Sequence, residues 1–591
     1  MLKSRILLPL LILLPLCFIS FAGSNHMVGD IRFTVLPTEE GNTSRGYLDS
    51  RALVENTGNE KRSVTITSGQ SRYLTVKRTI TLAPKAKARL SLPCPPANGS
   101  SQIFSVRVHE SGKYKDNIYA GSGSSNHSLY SNGYAFIVLD PLDPDKFISG
   151  LKPKPGSAPG SHRSSSGSSI WNQATSKKWS HGIDQLSRIW QGLARFDGIV
   201  MTRTILEGAS AQTKQTLSEY ILSGGNLIVF DATSNPLSFH SETTPQKKDG
   251  ISIQACGFGH LILLADSAID SFTTEHCDAV RDHIQSRKIT SSRPQPLEIH
   301  RKLPVIDNVT IPLRSTFLLM LVFSIVAGPI LIIVLGRKNK RILLNWAIPV
   351  LAIATSAVLV IYALISEGIT PNVILSGITH LNQIDHMAVT IGTQGYYTPF
   401  IPAEGLQFGT TSEIIKYTNR RFMHRDGAKQ IEWTHGQNFG RGWISARIPE
   451  YFSCRTVERR RERINFTKGD VENTLSIVNG LGTDIEKLIV VDHQGITYKA
   501  TDIKNGASVE LTAEPGKARP SGIALPELLE ENIWKAELNG KGKPGFIQLS
   551  PGTYQANLSA APFIENGLNY KSCKIKATSI IHGVWELSDG R

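Results

Sequence analysis

Charged residues are absent from two long apolar stretches near the middle of the chain, residues 315–336 and 342–366. At about 1.5 Å per residue, a helix of either length crosses the roughly 30 Å hydrocarbon core of a bilayer. A helical pair buried in a soluble domain is disfavoured because such helices need polar faces. The lack of charge also disfavours a transporter or channel, since it leaves no path for an ion. We therefore predict two transmembrane helices in contact with the lipid bilayer.

The segment between these stretches is short and basic. Residues 337–341 include Arg337, Lys338, Lys340 and Arg341. Positively charged loops stay in the cytoplasm, so we expect these four residues to determine the topology, with both flanking regions outside. The loop is too short to house a signalling domain.

The N-terminus has the pattern of a secretory signal peptide. Lys3 and Arg5 precede an apolar run that ends near the small residues Ser20 and Ala22. This pattern predicts a signal peptide over 1–22. Cys17 does not indicate a lipoprotein, because Leu-Pro-Leu precedes it where small residues are needed. We therefore expect a protein of the bacterial cytoplasmic (inner) membrane with two large extracytoplasmic, periplasmic regions.

The formal net charge is +15, yet the charge pattern disfavours nucleic-acid binding. The excess is spread along the chain, and one dense cluster is the loop just described. A second cluster is interrupted by Glu458 and Glu462 and lacks interleaved aromatic residues; its basic members are Arg455, Arg459, Arg460, Arg461 and Arg463. We expect no nucleic-acid partner, and favour a basic face towards anionic lipid headgroups.

The region over 23–125 has short alternating segments separated by Gly, Asn and Pro, which is typical of antiparallel strands. The predicted strands are 31–36, 50–55, 63–67, 74–81, 88–92 and 103–108. Their spacing predicts a β-sandwich. No cluster of His, Cys or carboxylate residues stands out, so an interaction or spacer module is the default.

The region over 130–310 changes in character. We predict a buried strand over 134–139, a flexible loop over 152–169 and a helix over 183–190. A strand over 196–202 is followed by a helix that Ser210 caps and that Gly224-Gly225 ends, and the next strand covers 226–230. Strand, helix and strand in this order predict a βαβ unit and a parallel sheet.

Two segments resemble a known family. Within 196–231, the run Tyr220-Ile221-Leu222-Ser223-Gly224-Gly225-Asn226-Leu227-Ile228-Val229 resembles the class I glutamine amidotransferase-like fold. Gly328-Pro329-Ile330 and Val334-Leu335-Gly336-Arg337-Lys338 resemble the hairpin of two-pass bacterial envelope membrane proteins that carry such a domain. The resemblance covers about 130–385, with a weaker similarity in the C-terminal part. It implies a flavodoxin-like α/β domain, catalytically inactive in many members, and a role in envelope assembly or stress alongside other membrane components.

Cys256 is a candidate nucleophile within Ala255-Cys256-Gly257-Phe258-Gly259-His260. Amidotransferases of the resembling class carry a Cys between glycines on a strand-to-helix turn, with a His and an acid later in the chain. Here no glycine stands two residues before Cys256, and 260–265 is typical of a strand. We predict a tight turn over 257–259 between strands 251–255 and 260–265.

Five cysteines follow the predicted signal peptide: Cys94, Cys256, Cys277, Cys454 and Cys573. In an oxidising compartment the possible disulfides are Cys256 with Cys277 and Cys454 with Cys573, while five free thiols are the alternative. His276, Cys277, Asp278 and Asp282 form a local polar cluster without paired ligands opposite, so we expect no metal and no cofactor.

The region over 367–591 is again β-like and rich in turns. The predicted strands are 475–478, 488–491, 496–500, 508–512, 546–549, 553–558 and 580–585. One or two antiparallel sandwiches fit this length. The expected fold is thus multidomain, α/β plus all-β: an N-terminal β-sandwich, a flavodoxin-like α/β domain, a transmembrane hairpin and a C-terminal β-sandwich region.

The leading hypothesis for function is a non-enzymatic, membrane-anchored scaffold or interaction protein of the bacterial cell envelope, with membrane or envelope proteins as partners. One alternative is an extracytoplasmic cysteine-dependent hydrolase or amidase that uses Cys256, with His260 or His276. Another alternative is a glycan-binding or envelope-sensing module. Fold analogy alone does not decide between them.

Overall fold

The computed structural model describes most of the chain. The described residues are 25–38, 41, 46–71, 74–96, 103–119, 134–152, 174–237, 246–248, 250–265, 274–286, 296–306, 313–338, 341–368, 370–418, 429–440, 442–469, 471, 474–513, 521–524, 546–570 and 572–587. The predicted signal peptide over 1–22, nearly all of the predicted loop over 152–169, and Lys340 lie outside these residues.

The first region is built from antiparallel strands, and all six predicted strands are confirmed. An N-terminal sheet contains, in spatial order, Asn25–Val28, Ile31–Val35, Leu48–Asn56 and Lys87–Cys94. The strands Leu74–Leu82, Arg62–Ser71, Ile103–Val108 and Tyr114–Tyr119 are neighbours in a second sheet. Alternate residues such as Val64, Ile66 and Val76 are fully buried, as the period of two requires.

The second of these sheets is completed by strands from the far end of the chain. Lys429–Glu432 pairs in parallel with Leu74–Lys77, and the sheet continues through Gln437–Phe439 to Leu406–Phe408. We call this seven-stranded sheet the shared sheet. Its core contains Phe33 and Val76 from the first region together with Ile431 and Phe452 from the last. Residues 23–125 therefore do not form a separate unit, because their sheet and core are completed by residues beyond 370.

The middle region forms a third sheet, the α/β sheet. Its strands in spatial order are Thr175–Trp179, Ala135–Leu139, Gly198–Thr202, Asn226–Phe230, Gly259–Leu264, Ile251–Cys256 and Gln246–Lys248. The first five are parallel, and the last two add antiparallel to them. In chain order the parallel strands therefore lie 2-1-3-4-5.

The predicted βαβ unit is confirmed. Ser210 accepts a hydrogen bond from the backbone N–H of Thr213 and caps the helix Ala211–Leu222, and Gly224 follows the helix with φ of 108°. The predicted helix over 183–190 is wrong: the chain forms a 3₁₀ turn, Ile183–Gln185, and one helical turn, Trp190–Leu193. Trp190, Leu193 and Phe196 are buried, so packing rather than helical periodicity determines this segment. The other helices of the region are Pro144–Leu151, Arg203–Gly208, Thr274–Ser286 and Pro296–Lys302.

The α/β sheet has a hydrophobic core on each face. The front core, which includes Leu217, Leu261 and Leu263, continues into residues such as Ile378 and Ile580 of the last region. The back core, which includes Phe147, Ile262 and Val280, is closed by the helices Pro144–Leu151 and Thr274–Ser286. The α/β sheet is therefore packed against the last region through its front face.

The last region is centred on an eight-stranded sheet, which we call the long sheet. Its spatial order is Ser412–Lys416, Glu450–Arg459, Met387–Tyr397, Asn372–Asn382, Lys574–Val584, Thr553–Leu558, Ile485–Val491 and Thr497–Ile503. A three-stranded sheet, Arg463–Lys468, Thr474–Gly480 and Ser508–Thr512, shares a core with it through Phe466 and Tyr554. A small hairpin-like pair consists of Ser521–Ala524 and Phe546–Gln548.

Two apolar helical segments lie between these folded regions. The first comprises Leu313–Ile325, a π-helical turn Val326–Ile330 and Leu331–Arg337. The second is Leu344–Glu367, preceded by the 3₁₀ turn Arg341–Leu343. Pro329 lies in the π turn, as expected for a residue that removes a backbone donor. The segments Phe317–Arg337 and Leu344–Tyr362 are long and apolar enough to cross a membrane, and no part of their most apolar stretches is buried in the protein.

The shared sheet predicts that a core truncation in the last region loosens the first region. Ile431 is fully buried and is paired with Val76. We expect Ile431→Ala to lower the free energy of unfolding by about 2–5 kcal/mol. Hydrogen exchange of the amides in Leu74–Leu82 should accelerate together with that of Lys429–Glu432.

The matched control is Val478→Ala, because this side chain is 37% exposed in the three-stranded sheet. It should leave exchange in Leu74–Leu82 unchanged. Faster exchange confined to residues beyond 370 in the Ile431→Ala protein would contradict the shared sheet.

Candidate functional site

A tight turn directly follows Cys256, as the sequence predicts. Cys256 pairs with Gly259 at the end of the hairpin formed by Ile251–Cys256 and Gly259–Leu264. Gly257 has φ of 60°, and a Cβ at Gly259 would overlap the carbonyl oxygen of Ile221. The N–H of Phe258 donates to Leu222 O at 3.0 Å. The glycines therefore allow the hairpin to close over the end of the helix Ala211–Leu222, which is a packing role.

The α/β sheet separates Cys256 from the candidate histidines. Cys256 is fully buried in the front core, and its Sγ lies 3.6 Å from Gln254 O. His260 belongs to the opposite face, since successive strand residues alternate and Leu261 lies in the front core. The His260 ring packs against the His283 ring with centroids 4.4 Å apart. The geometry therefore does not bring Cys256 and His260 together as nucleophile and base.

The local cluster around His276 does not form a metal centre among the residues that the structure describes. No group of three His, Cys, Asp or Glu side chains there is arranged to hold an ion. Asp278 forms an ion pair with Arg281 at 2.6 Å on the same helix. Cys277 is buried in the back core.

Neither of the two possible disulfides is present in this structure, which has all five described cysteines as thiols, the alternative that the sequence left open. Cys256 and Cys277 lie in cores on opposite faces of the α/β sheet. Cys454 lies in the strand Glu450–Arg459, and Cys573 directly precedes the strand Lys574–Val584; two strands of the long sheet lie between these strands, which are about 14 Å apart at the usual strand spacing. A disulfide needs Cα atoms within about 7 Å.

The carboxyl ends of the parallel strands carry polar residues that sequence reasoning did not single out. Asp231 directly follows Asn226–Phe230 and has φ of 59°. Asp140 follows Ala135–Leu139 and pairs with Lys178 at 2.8 Å. Ligands of open α/β sheets bind at this edge, where the strand order reverses. The signal in the sequence was an acidic residue immediately after two of the buried strands, Asp140 and Asp231.

Two members of the second basic cluster, Arg455 and Arg460, form ion pairs within the protein. Arg455 donates to Glu413 and, at 2.8 Å, to Ser223 O, and its guanidinium lies 5.0 Å from the Trp190 ring centre. Arg460 donates to Glu458 at 2.8 Å and Glu462 at 3.1 Å. Arg455 thus joins the long sheet to the α/β region. Arg455 and Arg460 thus make contacts within the protein, while Arg459, Arg461 and Arg463 are exposed, and contact of a basic face with anionic headgroups stays a prediction.

Buried polar contacts also join the first region to the others. The Tyr47 hydroxyl accepts a hydrogen bond from Ile414 N at 2.6 Å and lies 3.0 Å from Gln437 Oε1. Burial raises the pKa of Tyr47 well above its usual value, so this hydroxyl stays neutral. Arg51, only 1% exposed, donates to the carbonyl oxygens of Pro37 and Gln185. These bonds link three regions that are distant in sequence.

The segment before the first apolar helix is anchored next to the strand that follows the second. Ile299 and Val305 are buried against Ile374 and Tyr397 of the long sheet. The Tyr451 hydroxyl donates to Leu303 O at 3.0 Å and lies 2.7 Å from His300 Nδ1. Burial raises the pKa of Tyr451 to about 12. The chain therefore leaves and re-enters the folded body at neighbouring positions.

Between the two apolar helices, Arg337 and Lys338 are exposed. Arg341 begins the 3₁₀ turn that precedes the second helix. These are three of the four residues expected to determine the topology.

Comparisons with known proteins add little. No protein-family model matches the sequence, and no curated protein is similar to it. The yeast delta-COP-I mu-homology domain, complexed with a Dsl1 WxWxV peptide, is 7% identical and covers 36% of this chain and 96% of its own, with a TM-score of 0.18. The same domain alone is 6% identical, covering 36% and 95%, with a TM-score of 0.18.

A cycloisomaltooligosaccharide glucanotransferase of Paenibacillus sp., complexed with cycloisomaltoheptaose, is 10% identical over 33% of this chain and 45% of its own, with a TM-score of 0.12. TM-scores this low support no conclusion about fold or function.

The arrangement of the thiols predicts a distinct pattern of alkylation. Burial raises the pKa of Cys94 and of Cys454 to about 12, so both stay protonated at neutral pH. Cys573 is partly exposed. N-ethylmaleimide should modify Cys573 first in the native protein, as measured by mass spectrometry. After denaturation without reductant all five described thiols should react, and a shortfall that reductant restores would contradict the structure.

Proposed function

We propose that this chain is a non-enzymatic scaffold or interaction protein of the bacterial cell envelope, anchored in the cytoplasmic membrane by a helical hairpin. Both folded halves lie on the extracytoplasmic side and form one body. The bilayer and membrane or envelope proteins are its partners.

The pairing of Lys429–Glu432 with Leu74–Lys77 carries this proposal. The paired strands come from opposite sides of the two apolar helices in the sequence. Backbone groups cannot pair through a bilayer, because the hydrocarbon region admits only segments that satisfy their own hydrogen bonds. If the helices span a membrane, both halves must occupy one compartment, and a hairpin with two crossings meets that condition.

The apolar helices have the properties of membrane spans. Phe317–Arg337 has 21 residues and so a length of about 31 Å, which matches the hydrocarbon thickness. Phe317, Trp346 and Ile353 are each at least 70% exposed. A helix in the core of a soluble protein would bury such side chains. The segment between the helices contains Arg337, Lys338, Lys340 and Arg341, which favours a cytoplasmic tip by the positive-inside rule.

The α/β sheet supports the resemblance to amidotransferase-like domains. The 2-1-3-4-5 order of its parallel strands is the order of flavodoxin-like folds. Because the sheet separates Cys256 from His260, we favour binding or assembly over cysteine chemistry in this domain. The residues at the carboxyl edge, including Asp140 and Asp231, provide a surface for a ligand or partner.

The packing of the β-sheets supports the proposal of two sandwich-like regions, because two pairs of sheets each share a core. The N-terminal and shared sheets enclose a common core around Phe33, Val54 and Val76, and the three-stranded sheet covers the long sheet around Phe466 and Tyr554. Such modules commonly serve as interaction surfaces.

Cysteine labelling on cells tests the topology. We expect a membrane-impermeant maleimide to label Ser111→Cys and Gln494→Cys, which are exposed positions in the two halves, once the outer membrane is permeabilised. Asn339→Cys in the loop should react only after lysis. These variants are made in a Cys573→Ser background, because Cys573 is partly exposed, and the native Cys94, Cys256, Cys277 and Cys454 are buried and give little background. Labelling of only one half, or of residue 339 in intact cells, would overturn the proposal.

Complementation of a deletion strain separates a scaffold from a cysteine hydrolase. Cys256→Ala should retain full function at an unchanged protein level, since the side chain is small and buried. As a control, Arg455→Ala should reduce the protein level, because Glu413 would lose its ion-pair partner in a buried position. Loss of function in Cys256→Ala, with a normal protein level, would favour the hydrolase.

A further inference from the structure

Several strands of the long sheet end at one edge, next to the second apolar helix. Residues 368–371 join Glu367 at the end of that helix to Asn372 at the start of a strand. A link this short spans at most about 18 Å. Asn372 is paired with Tyr397 and with Lys574, so these strand ends share the edge.

Beyond this edge the chain exposes large apolar side chains. Met387–Tyr397 is antiparallel to Asn372–Asn382, so the residues after Tyr397 continue towards the apolar helix. Phe400 and Ile401 are 55% and 58% exposed. Ile448, just before the strand Glu450–Arg459, is 52% exposed. We call Phe400, Ile401 and Ile448 the apolar rim.

Backbone contacts hold the two segments of the apolar rim together. Thr398 forms a bridge with Ala446, and Arg447 N donates to Thr398 O at 2.8 Å. The rim is therefore one structured feature rather than two separate loop tips.

Basic residues flank the apolar rim on the same side of the molecule. Lys574 and Ile575 are exposed where the last strand begins, level with Asn372. Leu297 and Arg301 are exposed one helical turn apart on Pro296–Lys302, which packs on this edge through Ile299. Apolar side chains bordered by basic ones are the composition of surfaces that bind the interface of an anionic bilayer.

We propose that the apolar rim inserts into the headgroup region of the leaflet that the apolar helices enter, with Lys574 and Arg301 on anionic headgroups. The partner is the lipid bilayer that the chain's own helices cross, so the inference rests on the proposed function. Contact at the rim adds to the two helical tethers and fixes the tilt of the folded body relative to the membrane.

Lipid quenching in the full-length protein tests this contact. Single cysteines replace Phe400, Ile448, Leu587 or Leu331 in a background with Cys17→Ser and Cys573→Ser, and each carries an NBD fluorophore. The protein is reconstituted in vesicles of phosphatidylcholine and phosphatidylglycerol with a nitroxide near the headgroup or deep in the acyl chain. Leu587 is the matched control, because it is apolar, 50% exposed and beyond the other end of the strand Lys574–Val584, about 36 Å away.

We expect the shallow nitroxide to reduce fluorescence at 400 and 448 at least about twofold, as for groups buried roughly 5–10 Å in the interface. Fluorescence at 587 should not change, and the deep nitroxide should quench at 331. Quenching at 331 without quenching at 400 and 448 would overturn the rim contact and leave the membrane hairpin standing. No quenching at 331 would overturn both.

The charge of the lipid tests the basic flank. In vesicles that contain phosphatidylglycerol, Lys574→Glu should reduce the quenching of the fluorophore at position 400 by the shallow nitroxide at least about fivefold. In phosphatidylcholine alone it should have little effect on this quenching. An equal effect in both lipids, or none in either, would contradict the contact with anionic headgroups.

Discussion

The backbone ladder between Leu74–Lys77 and Lys429–Glu432 is the constraint on which the rest of the structure depends. It completes the shared sheet and brings Ile431 and Phe439 into the core that Phe33 and Val76 begin. Because peptide groups in hydrocarbon must be paired within their own segment, such a ladder forms only between strands in one compartment. The two apolar helices lie between the paired strands in the sequence. If these helices span a membrane, the chain must therefore cross it an even number of times between the paired strands.

The segments directly before the first apolar helix and after the second also pack against each other. Ile299 and Val305 before the first helix pack on Ile374 and Tyr397 after the second, and Tyr451 bonds to both Leu303 and His300. Arg455 and Arg51 add buried bonds between the long sheet, the first region and the α/β region. Charges that a sequence shows as a basic cluster thus act partly as internal connections.

Local patterns in the sequence predicted much of the fold. The apolar spans, the Ser210 cap, the turn at Gly257 and the strands such as Ile103–Val108 each depend on neighbouring residues, and the structure has them where the pattern indicates. The pairing of strands some 350 residues apart has no local signal, so the joining of the first and last regions was missed. The sequence left the pairing of the cysteines open for the same reason: sheet faces and strand order decide which thiols can meet. Asp231 directly follows a buried strand in the sequence, but its left-handed backbone conformation is visible only in the structure.

The shared sheet has a consequence for biosynthesis. The partner of Leu74–Lys77 is made about 350 residues later, which at roughly 5–20 residues per second means tens of seconds of translation. During that interval the first region has an open strand edge and an unfilled core. Such edges recruit other chains. The edge of Leu74–Leu82 is therefore open to pairing with other chains until Lys429–Glu432 has been made.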